Sequence, residues 1–221
     1  MELSIDTASE VASVALSQEG VLLAEITWRC RRNHTAELLP AIDTLLAQGG
    51  AARHELTAVF VCTGPGMYTG LRVGVSSAKG LAYALGLPAL GVGRLELDAY
   101  PHAAFPGPIV AVHRAGRGEL AWAAYRGDPW RELVAPRLSE PEVLLRRARR
   151  RTLFVGEIDD TLAARLREFG RAVVVAPAAA TRRAAALAEL AYARLAAGRS
   201  DDVALLRPVY LRPPAVTRPN P

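Results

Sequence analysis

The amino-acid sequence predicts an α/β protein with two lobes, in which mixed sheets are flanked by helices. Short alternating or wholly apolar segments, typical of strands, precede longer segments with the apolar spacing of helices. This succession restarts after a Pro- and Gly-rich stretch at residues 101–108. With 221 residues, 51% of them hydrophobic, the chain can bury a core in each lobe. We expect lobes at 1–104 and 105–212, with the C-terminal helix packing back on the first lobe, and a Pro-rich tail at 213–221.

The first lobe is predicted to begin with an antiparallel meander, because three alternating segments are separated by turn-like spacers. A helix with a leucine stripe and a Gly-Gly stop follows, then a continuous apolar run of the length of a buried strand. A glycine-rich turn leads into a second helix, a strand and a short helix. The predicted strands are Ser4–Thr7, Val11–Ser17, Val21–Thr27, Thr57–Cys62 and Ala89–Val92, and the helices are Thr35–Gln48, Tyr68–Leu85 and Leu95–Ala104.

The second lobe is predicted to follow the same plan in shorter form. Its predicted strands are Ile109–His113, Leu120–Tyr125, Glu132–Ala135, Leu153–Val155 and Ala172–Val175. Its predicted helices are Pro141–Arg149, Thr161–Phe169 and Thr181–Ala197. The prolines that follow residue 207 cannot continue a helix, so Val209–Leu211 is expected to be a docked segment.

Several classes of protein are excluded by what the sequence lacks. No apolar run approaches the ~20 residues of a membrane helix, and the N-terminus lacks the basic and apolar regions of a secretory signal. Cys30 and Cys62, the only cysteines, have no ligand-spaced partners and are interpreted as free thiols. The four histidines are far apart in sequence. We therefore expect a cytoplasmic protein without a metal site.

Positive charge is concentrated in the second half of the chain. The formal net charge is +5, but residues 1–110 hold 7 basic and 10 acidic residues, whereas residues 111–221 hold 20 and 12. Five arginines cluster at positions 146, 147, 149, 150 and 151. They could form a phosphate-facing patch or a solvated helix end. We favour the solvated helix end, because no aromatic residues interleave the cluster to stack on bases.

Two turns are candidate phosphate sites. The turn from Gly64 to Gly70 lies between a buried strand and a helix N-terminus, which can hold a phosphate. It matches neither the P-loop nor the dinucleotide fingerprint, so a tight turn that needs glycine is the favoured alternative. The second candidate is Ile5–Ser9, in which Asp6 and Thr7 end the first predicted strand at a tight turn towards the next one. A magnesium or phosphate loop and a simple polar turn are equally good interpretations of this segment.

The second predicted helix is the most informative segment. Small residues recur every four positions, at Gly70, Gly74, Ala78 and Ala82, while apolar residues occupy the neighbouring faces. Such a helix must be covered on more than one side. We expect its own sheet to cover one side and another helix to approach the small-residue stripe, in preference to burial wholly within its own fold. The first predicted helix, with its leucine stripe, is the obvious neighbour.

Five sequence blocks together resemble the TsaB (YeaZ) family, which comprises bacterial accessory subunits for making threonylcarbamoyladenosine in tRNA. The blocks are Ile5-Asp6-Thr7, His34 to Pro40, Gly64 to Gly74, Ala78 to Ala82 and Pro208 to Arg212. The similarity is dense through residue 98 and sparse from 99 to 200. The Gly64–Ala82 block is its most specific part, and it is shared with the catalytic relative TsaD.

The resemblance implies an actin/Hsp70/sugar-kinase-like (ASKHA) fold and a set of partners. These are a TsaD-like catalytic subunit, a second copy of the chain when that subunit is absent, a TsaE-like ATPase in the wider complex, and tRNA only through the complex. It implies an interface formed by the first two helices. The corresponding candidates are His34, Leu38, Leu39, Ile42, Tyr68, Leu71, Arg72, Gly74, Val75, Ala78 and Lys79.

One departure from the catalytic relative bears on activity. Where TsaD has a metal-binding His-x-x-x-His, this chain has Arg94-Leu95-Glu96-Leu97-Asp98, which is a poor metal site. The expected function is therefore a non-catalytic scaffold that binds TsaD for threonylcarbamoyl transfer to the adenosine 3′ of the anticodon, without a cofactor. The alternative is an ATP-dependent phosphotransferase of the same fold, with Asp6, Thr7, Gly64 and Gly66 holding phosphates. The lack of a second phosphate loop argues against it.

Overall fold

The computed structural model describes residues 1–31 and 33–211, and these form two five-stranded mixed sheets. The first sheet has the order β3-β2-β1-β4-β5. Its first three strands are an antiparallel meander, as predicted, and β4 and β5 run parallel to β1. The strands are β1 (Glu2–Asp6), β2 (Val11–Gln18), β3 (Val21–Arg29), β4 (Ala58–Gly64) and β5 (Ala89–Gly93).

The second sheet repeats this connectivity. Its order is β10-β9-β6-β7-β8, with an antiparallel meander of β6, β7 and β8 and parallel pairing of β6 with β9 and of β9 with β10. The α/β class with two mixed sheets is therefore confirmed. The strands are β6 (Ile109–Gly116), β7 (Glu119–Arg126), β8 (Arg131–Ser139), β9 (Thr152–Gly156) and β10 (Ala172–Val174).

Helices cover both faces of each sheet. Along β4 the side chains alternate: Val59 and Val61 pack towards α1 and α2, whereas Phe60 packs towards α6. In the second sheet α4 and α5 cover one face and α3 covers the other. The helices are α1 (His34–Gln48), α2 (Tyr68–Leu85), α3 (Arg94–Ala99), α4 (Pro141–Leu145), α5 (Asp160–Arg167) and α6 (Ala184–Ala196). α6 packs on the first sheet, against β1, β2 and β3.

Three helix boundaries differ from the sequence prediction by three residues or more. The helix predicted from Leu95 ends at Ala99 and continues only as a 3-10 turn, and the helix predicted to end at Arg149 ends at Leu145, with a 3-10 turn after it. α6 begins at Ala184, not at Thr181, because Arg183 has extended backbone dihedrals. This later start leaves Arg182 outside the helix, in the segment that enters the space between the sheets.

The C-terminal part of the described chain is attached to the first sheet and to α2. The backbone N–H of Val209 donates to the carbonyl of Thr63 at 2.8 Å. Lys79 Nζ donates to the carbonyls of Ala204 and Leu206 at 2.8 and 3.1 Å. The expected docked segment at 209–211 is thus held by backbone pairing. The tail predicted at 213–221 lies outside the described residues, and the boundary at 104/105 stays a prediction.

Candidate functional site

The small-residue stripe of α2 faces the protein's own first sheet. A Cβ added at Gly74 would collide with Oγ1 of Thr7, and one added at Gly70 would collide with the carbonyl of Thr7. The Thr7 hydroxyl in turn donates to the Gly70 carbonyl at 2.7 Å. The small residues therefore allow α2 to lie close to the first sheet of the same chain. The interpretation of this stripe as a groove for a partner helix is wrong.

The eleven candidate interface residues divide into two sets by burial. Seven are buried within the chain: His34, Leu38, Ile42, Leu71, Gly74, Val75 and Ala78. They form the layer between the two helices and the sheet and present almost no surface to a partner. The other four retain solvent-accessible surface: Leu39, Tyr68 and Arg72 are exposed, and Lys79 is half-buried.

The solvent-facing side of α1 and α2 is a different surface, and of the residues that define it here only Leu39 is among the sequence-predicted candidates. On α2 it is built from small residues spaced by four, Ser76, Gly80 and Ala84, and a Cβ added at Gly80 would meet nothing within 4 Å. Leu39 of α1 and Tyr83 of α2 are 54% and 87% exposed. We call this surface the outer helix face.

A groove lies beside α1, between this helix and the segment that contains Arg53 and Leu56, and α2 contributes only Leu81 to its lining. It encloses about 310 Å³ and its lining is mainly apolar. The lining residues are Leu3, Leu39, Ile42, Asp43, Leu46, Arg53, Leu56 and Leu81. Among its apolar lining residues Leu39 is exposed, whereas Leu3, Ile42, Leu46 and Leu56 are buried at its floor. An exposed apolar side chain beside a groove is a feature of protein-binding surfaces.

Tyr68 and Arg72 continue this surface towards the docked C-terminal segment. The Tyr68 ring stacks on Tyr210, with 5.3 Å between ring centres, and the Arg72 guanidinium lies 4.3 Å from the Tyr68 ring centre. These three side chains form an exposed aromatic cluster at the N-terminal end of α2.

The glycines of the candidate phosphate loop pack against the protein's own backbone. A Cβ at Gly66 would collide with the carbonyl of Ala8, to which the N–H of Met67 donates at 2.9 Å. A Cβ at Gly64, where φ is +109°, would lie 3.0 Å from the carbonyl of Val209. These contacts favour the tight-turn interpretation, because the space beside the glycines is filled by the chain itself.

An arginine fills the position next to Asp6, the candidate phosphate-binding carboxylate. Arg182 forms two hydrogen bonds to Asp6, one at 3.2 Å from Nη2 to Oδ1, and it donates from Nη1 to Oδ1 of Asp98 at 3.2 Å. All three side chains are at most 5% exposed. Burial alone would raise the pKa of Asp6, but the Arg182 charge and hydrogen bonds offset this effect and hold the pKa below its usual value.

A second ion cluster lies next to the first and joins the two sheets. Arg94, at the start of α3, contacts Glu157, which follows β9, and His113 Nδ1 lies 2.8 Å from both Arg94 Nη1 and Glu157 Oε2. Burial opposes ionisation of Glu157, yet the hydrogen bond from His113 and the charge of Arg94 hold its pKa well below the usual range. Arg94 and Asp98, the positions that align with the metal motif, thus belong to an ion-pair network.

The two ion clusters line a cleft of about 480 Å³ between the sheets. Its charged lining combines Arg94 and Arg182 with carboxylates, so the positive and negative charges largely compensate each other. Among the described residues no group of three or more His, Cys, Asp or Glu side chains could hold a metal ion. The two ion clusters therefore connect the two sheets through buried ion pairs and hydrogen bonds.

Comparison with known proteins gives the family. A family model described as TsaD, tRNA N6-adenosine threonylcarbamoyltransferase, matches residues 22–218. The TsaB protein of Bacillus subtilis is 36% identical over 124 residues, which cover 56% of this chain and 54% of that protein. This chain belongs to the TsaB/YeaZ family. The TsaB protein of Escherichia coli is 34% identical over 147 residues, 64% of this chain and 63% of that protein.

Solved structures extend the similarity over nearly all of this TsaB/YeaZ family member. A Pseudomonas aeruginosa protein, described as uncharacterised with similarity to peptidase YeaZ, superposes with a TM-score of 0.81 at 28% identity. The alignment covers 96% of this chain and 99% of that one. A ROK hexokinase from Thermus thermophilus, at 10% identity and a TM-score of 0.52, shares the fold alone. The ASKHA fold is thereby confirmed.

The sequence matches to the curated relatives are partial. They span between about half and two thirds of the relatives' length, 54% for the Bacillus protein and 63% for the Escherichia protein. Within the residues that the structure describes, no helix is both long enough and apolar enough to cross a membrane.

Proposed function

We propose that this chain is a non-catalytic subunit for threonylcarbamoyladenosine biosynthesis that binds a TsaD-like catalytic subunit through α1 and α2. In that complex it stabilises the active arrangement for threonylcarbamoyl transfer to the adenosine 3′ of the anticodon, in tRNAs that read codons beginning with A. The observation that carries the proposal is the outer helix face, together with the curated names of the relatives, which are tRNA threonylcarbamoyladenosine biosynthesis proteins.

The shape of the outer helix face supports helix-on-helix docking. Side chains at Ser76, Gly80 and Ala84 are too small to hold a facing helix away from the α2 backbone. Leu39 on α1 and Tyr83 on α2 are large and exposed, so they can bury apolar area against a partner. The buried candidates, Gly74 among them, contribute indirectly, because they set how closely α2 lies on its own sheet.

The cleft between the sheets supports a non-catalytic role. In an ATP-dependent phosphotransferase, a carboxylate at the end of β1 would have to be available for magnesium or phosphate. Here Asp6 is neutralised by Arg182, whose guanidinium also pairs with Asp98. Releasing the carboxylate would leave buried charges unpaired, which is costly.

The remaining partners follow from the same proposal. We propose that a TsaE-like ATPase joins the wider complex, that tRNA is bound through the complex, and that the chain forms a homodimer through the outer helix face when the catalytic subunit is absent. The complex acts in the cytoplasm.

The test is the light-scattering mass of the chain alone and mixed with the TsaD-like protein of the same organism. Gly80→Arg should abolish the mixed complex, since the new side chain projects from the outer helix face. Ala164→Arg is the matched control, an exposed position on α5 that should leave association unchanged. Absence of a mixed complex for the unmodified chain, or association of Gly80→Arg at unchanged affinity, would overturn the docking. Magnesium-dependent ATP turnover by the chain alone would overturn the non-catalytic role.

A further inference from the structure

The second sheet carries a set of arginines that the proposed docking does not use. They are Arg137 on β8 and the five arginines of the segment that joins α4 to β9, and all six are exposed. We call them the arginine patch: Arg137, Arg146, Arg147, Arg149, Arg150 and Arg151.

Aromatic rings from distant parts of the sequence hold several of these side chains in place. The guanidinium carbons of Arg147 and Arg137 lie 5.4 and 5.7 Å from the centre of the Trp122 ring, and that of Arg151 lies 5.7 Å from the Phe105 ring centre. These distances are within the range of cation–π attraction. Trp122 is only 1% exposed, so its ring positions the arginines and is not accessible for stacking on a base.

The backbone of the segment is also fixed. The Thr152 hydroxyl donates to the carbonyl of Arg147 at 3.2 Å, and Ala148 is buried in the core beneath the turn. The cluster is therefore a defined part of the surface that extends from Trp122 towards Phe105. The cluster continues the C-terminal end of α4 as a 3-10 turn with exposed arginines, which agrees with the expectation of a solvated helix end. Its anchoring to the second sheet was not part of that expectation.

The positive charge of the patch is not compensated. Within residues 1–31 and 33–211, none of the six arginines forms an ion pair, whereas Arg165 on the neighbouring α5 pairs with Glu142 at 2.8 Å. Uncompensated like charges held close together raise the local concentration of anions. Natural surfaces usually intersperse both signs of charge, so such a cluster is best explained by an anionic partner.

We propose that the arginine patch binds the phosphate backbone of RNA without reading its sequence. Guanidinium groups are planar and donate two parallel hydrogen bonds to phosphate, and all six cations are arginine. The 3-10 turn rises only about 2 Å per residue, so the patch gains its extent from the long arginine side chains around the turn and from Arg137 on β8. Because the aromatic rings under the patch are used to position arginines, contacts to phosphates are favoured over stacking with bases.

An acidic protein surface fits the patch less well. The core of a protein–protein interface is depleted in charge and built on aromatic and apolar anchors, whereas here the exposed residues are consecutive cations. That the bound RNA is a tRNA rests on the proposed function, in which the patch supplies this chain's own part of the contacts between the complex and tRNA. The affinity for an RNA backbone does not rest on it.

The experiment is a fluorescence anisotropy titration of the full chain, without partners, against a labelled transcript of a tRNA that reads a codon beginning with A. The test variant is Arg149→Glu/Arg150→Glu. The matched control is Arg199→Glu/Arg207→Glu, which changes net charge equally at two exposed positions outside the patch. We expect the test variant to weaken binding at least about tenfold, and to reduce the slope of log affinity against log salt by about two. The control should stay within about twofold of the unmodified chain.

Other outcomes overturn the proposal. These are no binding of the transcript by the unmodified chain at low salt, equal weakening by the test and control variants, or tighter binding of polyglutamate than of the transcript. Light scattering with the TsaD-like subunit separates the two proposals. Loss of RNA binding with intact association is expected of the test variant. If the unmodified chain associates with the TsaD-like subunit but does not bind RNA, RNA binding by the patch is refuted and the docking is not. If it binds RNA but does not associate with that subunit, the docking is refuted and RNA binding is not.

Discussion

Gly74→Ala and Gly80→Ala make the same chemical change six residues apart on α2, and we expect opposite effects on stability. Gly80 faces solvent with open space beside it, whereas Gly74 lies against Thr7 of the first sheet. The pair therefore tests which stripe of α2 is used within the chain and which is free for a partner.

The magnitudes follow from the surroundings of each glycine. Replacing a helical glycine by alanine gains about 0.5–1 kcal/mol of stability where nothing opposes it, and this is the effect expected at Gly80. At Gly74 the added methyl must displace the Thr7 side chain, and overpacking of this kind costs about 1–3 kcal/mol. Displacing Thr7 also breaks its 2.7 Å hydrogen bond to the Gly70 carbonyl, worth about 1 kcal/mol. The net effect expected at Gly74 is a loss of about 2 kcal/mol.

The assay is urea and thermal unfolding of both variants, followed by light scattering with the TsaD-like subunit. A loss of about 2 kcal/mol corresponds to a fall in Tm of about 4–8 °C for a chain of this length. Gly74→Ala should still associate below its Tm. If Gly74→Ala is as stable as Gly80→Ala but no longer associates, the small-residue stripe contacts the partner and our reasoning is refuted.

Three further predictions concern contacts within the chain. Arg182→Ala should cost about 3–5 kcal/mol in urea unfolding, because it leaves Asp6 buried without its cation and leaves Asp98 with only Arg94, at 3.6 Å. A second change, Asp6→Asn, should recover part of this loss, and no recovery would contradict the pairing. Because the folded protein lowers the pKa of Glu157 from 4.5, its contribution is present at neutral pH and is lost as pH falls below that value. Glu157→Gln should therefore flatten the acid limb of the urea midpoint against pH, and an unchanged limb would contradict the assignment. Lys79→Met should speed amide hydrogen exchange around residues 204–206, because Nζ no longer donates to the carbonyls of Ala204 and Leu206. The free energy of global unfolding should fall by less than about 1 kcal/mol. Unchanged exchange would show that other contacts hold the segment.

The spacing of apolar residues predicted a strand or helix well where that spacing alone shows which faces of the element are buried. The run Ala58–Gly64 is apolar without alternation because both faces of β4 are covered, and the leucine stripe of α1 faces the sheet. The weakest predictions were helix ends. Arg182 was placed inside a helix because its neighbours favour helix, yet two buried carboxylates hold it outside.

The candidate site was predicted less completely, for a reason visible in α2. Two small-residue stripes lie on this helix, one through Gly74 and one through Gly80, and a sequence period cannot say which one faces the sheet. The choice depends on Thr7, which is 67 positions away from Gly74 and reaches it only through the pairing of β1 with β4. The aromatic support of the arginine patch was missed in the same way, because Trp122 and Phe105 lie outside the cluster in sequence.

The sequence by itself determined the α/β class, the restart of the same plan in the second half, the absence of a metal-ligand spacing and the concentration of arginine after residue 110. These properties follow from residue types and their spacing along one element. The tertiary structure alone decided that Arg182 pairs with Asp6 and Asp98, which face of α2 is free, and which rings fix the arginines. Each of these depends on side chains from elements far apart in the chain, whose distances are set only when the two sheets and α6 pack together.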